Sequence, residues 1–153
     1  MVKRKKISLI DGSGFIFRAY YALPPLTSKN GTPVGAVLGF CNMLLKLIQV
    51  KESDKLVVIF DSAKKTFRNK IYSDYKANRG IAPEDLIPQF QIIREAVDAF
   101  DITRVELEGY EADDLIATYA KHFDEKNWSV EIVSSDKDLM QLVNKNIYMR
   151  DPI

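Results

Sequence analysis

Lys55-Leu56-Val57-Val58-Ile59-Phe60-Asp61 is an unbroken apolar run that stops on a carboxylate. A strand with one wet face alternates apolar and polar residues. A run without alternation suits a strand covered on both faces, as in parallel sheets. The chain repeats this pattern on either side. Ile7-Ser8-Leu9-Ile10 is a shorter run that ends in Asp11-Gly12-Ser13-Gly14, a strand and then a tight turn. Val105 to Leu107 predicts a strand leading into Glu111-Ala112-Asp113-Asp114. Val130-Glu131-Ile132-Val133 predicts another, closed by Ser134-Ser135-Asp136-Lys137-Asp138, and Asn146 to Met149 a last one.

Helical spacing fills the intervals. Helices are predicted over Phe15–Ala22, Val34–Val50, Gln89–Phe100 and Glu111 to about Lys126, with a short one over Leu139–Val143. The last long helix carries the stripe Leu115, Ile116, Tyr119, Ala120 and Phe123 behind its acidic first turn. Strands alternating with helices predict one α/β domain with a mostly parallel sheet.

Composition bounds the chemistry. With 46% hydrophobic and 28% charged residues in 153, the chain can bury a single core and is not of disordered type. Its net charge of +1 predicts neither nucleic-acid nor membrane binding in bulk, so charge distribution must decide. One cysteine, Cys41, excludes an internal disulfide and a cysteine-cluster zinc site. One histidine, His122, sits among charged residues and argues against a histidine metal site or a Ser-His-Asp triad. The basic start Met1–Lys6 is followed only by Ile7–Ile10 before Asp11, too short for a signal-peptide core, and no membrane-length apolar stretch exists. The expectation is a cytoplasmic protein with no membrane partner.

In open α/β sheets, sites form at the carboxyl ends of the strands. Asp11, Asp61, Asp136 and Asp138 each follow a strand end, and Glu111, Asp113 and Asp114 follow another closely. Taken singly, each reads as a turn, a cap or a favourable charge in a helix first turn. Taken together, they converge on one edge and repel one another. A hard divalent cation resolves that repulsion. Oxygen ligands without His or Cys point to Mg²⁺ or Mn²⁺, up to two ions, as in phosphodiester hydrolysis.

Residues 64–79 complement this edge. Lys64, Lys65, Arg68, Lys70, Lys76 and Arg79 can bind phosphates, and Phe67, Tyr72 and Tyr75 offer faces for unpaired bases. The alternative for this stretch alone is a solvated charged helix. A cation beside the scissile phosphate can also stabilise developing charge.

Leu9-Ile-Asp-Gly-Ser-Gly14, Phe17-Arg-Ala-Tyr-Tyr-Ala22, Pro33-Val-Gly-Ala-Val37, Phe60-Asp61, Thr66-Phe-Arg68, Tyr75-Lys-Ala-Asn-Arg79, Glu111-Ala-Asp-Asp114 and Ser135-Asp-Lys-Asp138 occur in order along the whole chain. This set closely resembles the 5′–3′ exonuclease domain of bacterial DNA polymerase I, of the flap endonuclease superfamily. The resemblance implies a three-layer PIN-like domain over residues 1–153 with a basic helical arch. It implies Mg²⁺-dependent hydrolysis near a 5′ end or 5′ flap of DNA, as in removing RNA primers. By position, Asp11, Asp61, Glu111, Asp113, Asp114, Asp136 and Asp138 match the metal-site acids. Arg68 and Lys76 match the cations of the arch that act at the phosphate. Arg18 matches an arginine beside the site, and Tyr75 a base-stacking position, both among the nucleic-acid-binding residues.

Members of that family continue past this length into a helix–hairpin–helix region and further metal-site aspartates. The expectation is therefore tight binding of one ion, weaker binding of a second, and little activity from this stretch alone. The rival of another class is a non-catalytic nucleic-acid-binding remnant whose partner chain supplies the rest. An aspartate phosphatase would need Asp-x-Asp at the first strand, where Asp11-Gly12-Ser13 stands instead. A PIN-type ribonuclease shares the acids but does not need the basic segment.

Overall fold

The computed structural model describes residues 3–50, 52–62 and 82–152. Five strands form a wholly parallel sheet: β1 (Lys6–Asp11), β2 (Lys55–Ile59), β3 (Thr103–Val105), β4 (Ser129–Val133) and β5 (Ile147–Arg150). Their order in space is β3-β2-β1-β4-β5. The strand order therefore reverses beside β1, and the crevice at such a reversal is where open α/β sheets place ligands.

Both faces of the sheet are covered, which is why the strands do not alternate. Ile10, Val58 and Val133 face one core with Phe15, Phe40, Leu44, Phe60, Ile93 and Val97. Apart from Phe60, which follows β2, these come from helices α1 (Gly12–Ala22), α2 (Gly35–Val50) and α3 (Ile87–Ala99). Ile7, Leu9, Val57, Ile59, Val130 and Ile132 face the other core with Leu115, Ile116 and Ala120 of α4 (Ala112–Glu125). Successive strand residues pointing to opposite faces divide Leu9 from Ile10 and Val57 from Val58. The result is the expected three-layer α/β architecture.

Several boundaries differ from the sequence reading. The turn predicted at Gly12–Gly14 is the first turn of α1, because Asp11 caps the helix through the Gly14 N–H. Glu111, predicted inside α4, is its N-cap. The third strand lies at Thr103–Val105, not Val105–Leu107, since Val105 must stand opposite Ile59 while Glu106 turns to Arg94. The segment after β4 is a 3₁₀ helix over Lys137–Leu142, capped by Asp136. Lys64, Lys65, Arg68, Lys70, Tyr75, Lys76 and Arg79, with the expected basic arch, lie outside the described residues.

Candidate metal centre

The register brings the strand ends level. Asp11 stands opposite Ile59, Ile59 opposite Val105, and Ile10 opposite Val133. The next residues of each chain segment therefore emerge at a common edge. Asp11 is the last residue of β1, Asp61 follows β2, Glu111 and Asp113 open α4, and Asp136 follows β4.

Local hydrogen bonds aim these carboxylates. Asp11 is buried and accepts the Gly14 N–H on Oδ1 at 3.0 Å and the Ser134 hydroxyl on Oδ2 at 2.9 Å. Ser134 thus ties β4 to β1 across the crevice, and its oxygen also accepts the Asp136 N–H at 3.0 Å. Asp61 Oδ1 accepts the Ala112 N–H at 2.6 Å, at the start of α4, where N–H groups lack helical partners. The Asp61 N–H donates to Ser13 Oγ at 2.9 Å. Asp136 Oδ1 accepts the Asp138 N–H at 2.9 Å. Asp114 Oδ2 accepts the Glu111 N–H at 2.9 Å, so this carboxylate serves the helix cap.

The glycines of the first motif keep this geometry open. A Cβ on Gly14 would stand 2.6 Å from Asp11 Oδ2. A Cβ on Gly12 would meet the Phe60 ring at 2.7 Å and the Ile59 carbonyl at 2.9 Å.

The electrostatics report the crowding. Burial pushes the Asp113 carboxyl up to about 7, with further upward pressure from Asp136, Asp11, Asp61 and Glu111. Burial also raises Asp11, with Asp61 and Asp136 adding to it, while the hydrogen bonds from Gly14 and Ser134 pull the other way. Five of the sequence-named acids therefore share one field. Asp138 is exposed in the first turn of the 3₁₀ helix. Arg18 is half-buried on α1 and pairs with Asp151 at 3.4 Å.

Among the described residues, no three His, Cys, Asp or Glu side chains stand as a group that could hold a metal as they are. The donor chemistry nonetheless suits a hard divalent ion: oxygen only and anionic, with Asp11 and Asp113 raised first by burial and then by their acidic neighbours.

Arg94, Ser13 and Ser134 are contributors that the sequence reading did not name as site residues. Arg94 donates to the Asp61 carbonyl at 3.2 Å, pairs with Glu106 at 2.6 Å and lies 4.5 Å from the Phe60 ring centroid. It lines a cavity of about 340 Å³ with Ser13, Phe17, Asp61 and Phe90. The serines had a signal, each lying two residues from a strand-end acid. Arg94 had none, being one charge among others on a helix.

Comparisons with known proteins agree with this fold. A family model described as "5′-3′ exonuclease, N-terminal resolvase-like domain" matches residues 6–152. DNA polymerase I of Rhizobium leguminosarum is 56% identical over 159 residues, covering 99% of this chain and 16% of that protein. The 5′-3′ exonuclease of Aquifex aeolicus (strain VF5) is 45% identical over 149 residues, covering 97% of this chain and 52% of that protein. The chain thus spans about half, or less, of the length of these relatives. In fold it is similar to the D15 flap endonuclease of bacteriophage T5, solved in a pseudo-enzyme-product complex with DNA and metal ions. The TM-score is 0.68 at 20% identity, over 95% of this chain and 54% of that one.

Proposed function

Because the chain belongs to the family of 5′-3′ exonuclease N-terminal resolvase-like domains, we propose that it is one nuclease domain hydrolysing DNA phosphodiesters at a 5′ end or 5′ flap with Mg²⁺ or Mn²⁺. One observation carries this reading: Asp11, Asp61, Glu111, Asp113 and Asp136 emerge at one sheet edge, where burial first and the other four carboxylates second raise Asp113 to about 7. Such an edge is unfavourable by itself and becomes favourable with a divalent cation. The names of the relatives, a 5′-3′ exonuclease and a flap endonuclease solved with DNA and metal ions, support the same substrate class.

In this proposal Asp11, Asp61, Glu111, Asp113, Asp114, Asp136 and Asp138 supply the ligands. Bound divalent ions would polarise the phosphodiester and lower the pKa of a bound water. The chain's own residues hold the ligands for that task. Ser134 and Gly14 fix both oxygens of Asp11. Ala112 fixes Asp61, and Arg94 holds the Asp61 backbone. Arg68 and Lys76 would meet charge on the phosphate, and Arg18, Lys64, Lys65, Lys70, Tyr75 and Arg79 would hold the strand.

Mn²⁺ calorimetry together with a 5′-flap cleavage assay tests the reading. Saturable Mn²⁺ binding that Asp11→Asn and Asp61→Asn each weaken about tenfold or more is the expected result. Wild-type affinity in both variants would overturn it. Lys76→Ala is expected to keep the Mn²⁺ affinity while slowing cleavage about tenfold or more; an unchanged rate would remove Lys76 from the reaction.

A further inference from the structure

At the amino ends of β1, β4 and β5, opposite the acids, the charge is reversed, whereas Glu52, Asp54 and Asp101 precede β2 and β3. Lys3, Arg4 and Lys5 lead into β1, Lys126 ends α4, and Lys145 precedes β5. All five are exposed and surround a concavity of about 760 Å³ floored by Trp128. Backbone bonds sew the three segments together: the Ser129 N–H donates to the Lys5 carbonyl and the Val130 N–H to the Asn146 carbonyl.

The cations here are held without a direct ion pair, although Arg4 and Lys145 both act on the Asp124 carboxylate through space. Arg4 Nε donates to the Asn127 carbonyl at 2.9 Å, and Nη2 donates to Asn127 Oδ1 at 2.9 Å and to Asn146 Oδ1. Every one of these partners is a neutral amide. Of the five N–H groups of a guanidinium, the pair on Nη1 remains for a ligand. Asp124 accepts from Asn146 at 2.6 Å and Asn144 at 3.0 Å. It therefore positions the amides that position Arg4. Lys5 lies 5.5 Å from the Trp128 ring centroid. Among the described residues none of the five cations forms an ion pair with a carboxylate. Lys126 also complements the C-terminal dipole of α4, a role the other four do not have.

We propose that this patch is a second nucleic-acid contact, binding phosphates of a duplex backbone away from the acidic edge. Lys5 and Asp11 are six residues apart along the chain, roughly 20 Å at about 3.3 Å per strand residue. That span matches about six steps of one DNA strand at 3.4 Å each. A duplex arm running beside the sheet from the acidic edge would meet the patch at that distance. The choice of polynucleotide over another polyanion rests on the proposed nuclease reading; the binding surface itself does not.

The test separates the two. Fluorescence anisotropy with a labelled duplex of about 20 base pairs is run in EDTA, between about 50 and 200 mM KCl. No metal or cleavage enters the readout. Combining Lys3→Ala, Lys126→Ala and Lys145→Ala removes three unpaired cations without touching the Arg4 network. The expected result is an affinity loss of about tenfold or more and a log K against log salt slope shallower by about 2–3. The same loss should appear in a Lys76→Ala background, while Mn²⁺ affinity stays as in the parent and the melting temperature falls by no more than the loss of Lys126 from the end of α4 accounts for, about 4 °C or less. Unchanged duplex affinity and slope would overturn the proposal. So would an effect confined to phosphatidylserine vesicles with duplex binding intact.

Discussion

Asp113 works against folding while no cation is bound. Its ordinary pKa of 3.8 applies to the unfolded chain, and about 7 applies in the fold. Below the first value both states are protonated and the residue is neutral to stability. Between the two, the unfolded chain releases the proton and the fold keeps it, so stability falls as pH rises. Above about 7 the penalty is complete and flat. Because the group is half-exposed, solvent screening reduces the effect to on the order of 1–2 kcal/mol. Urea melts in EDTA should show the protein more stable at pH 5 than at pH 8 from this residue, and Asp113→Asn should remove that part of the slope. Equal slopes for parent and variant would remove Asp113 from the account. Ser134 has the opposite sign. Ser134→Ala strips a hydrogen bond from the buried Asp11 carboxylate and should cost about 1–3 kcal/mol at neutral pH. Acid should recover part of the loss, because a protonated Asp11 no longer needs that donor. A cost that stays constant from pH 4 to pH 8 would point to packing instead.

At the scale of elements, the junction of β1 and α1 decides how the edge is built. Gly12-Ser13-Gly14 has the composition of a turn, and local chemistry alone predicts one. The helix starts there because Asp11 caps it and because Gly12 can approach Phe60 and Ile59 more closely than any side chain allows. That approach is set by β2, which sequence proximity does not reveal. The same limit applies to Ser134 and Arg94: each acts on an acid from another segment, and only the folded register joins them. The acids were legible because a strand end is a local event, and the parallel sheet turned four such events into one edge. The apolar runs made the sheet legible, but the boundary of β3 was not, since pairing with β2 rather than local pattern selects Thr103–Val105. Gly14→Ala probes the junction directly. Its Cβ would press on Asp11 Oδ2, so the carboxylate must rotate. Alanine is about 1 kcal/mol better than glycine inside a helix, which offsets part of the clash. Mn²⁺ affinity should therefore fall about tenfold while the melting temperature moves little. A variant that keeps full Mn²⁺ affinity would show that Asp11 orientation is not what the glycine protects.

Over the whole molecule the sheet is a polarised plate. Among the described residues, carboxylates gather at its carboxyl edge and cations without ion pairs at the amino ends of β1, β4 and β5, and the near-zero net charge of +1 conceals both. Each edge repels itself, so each should respond to its own counter-charge. Diffuse screening and specific ligation differ in how they relieve the acidic edge. Monovalent salt acts through the Debye length and reaches partly buried groups poorly. A ligated divalent ion contributes RT ln(1 + [L]/Kd), about 2.7 kcal/mol at one hundred times Kd. For a domain near this size each kcal/mol is worth about 2–4 °C. Mn²⁺ should therefore raise the melting temperature by roughly 5–11 °C, and NaCl of matched ionic strength by far less. Asp113→Asn should start from a higher metal-free melting temperature and gain less from Mn²⁺, because it has lost both the repulsion and a ligand. Scanning calorimetry of parent and variant in EDTA, NaCl and Mn²⁺ distinguishes the cases. Equal stabilisation by NaCl and Mn²⁺ would mean that the edge attracts an ion atmosphere and ligates nothing, and the metal reading would fail with it.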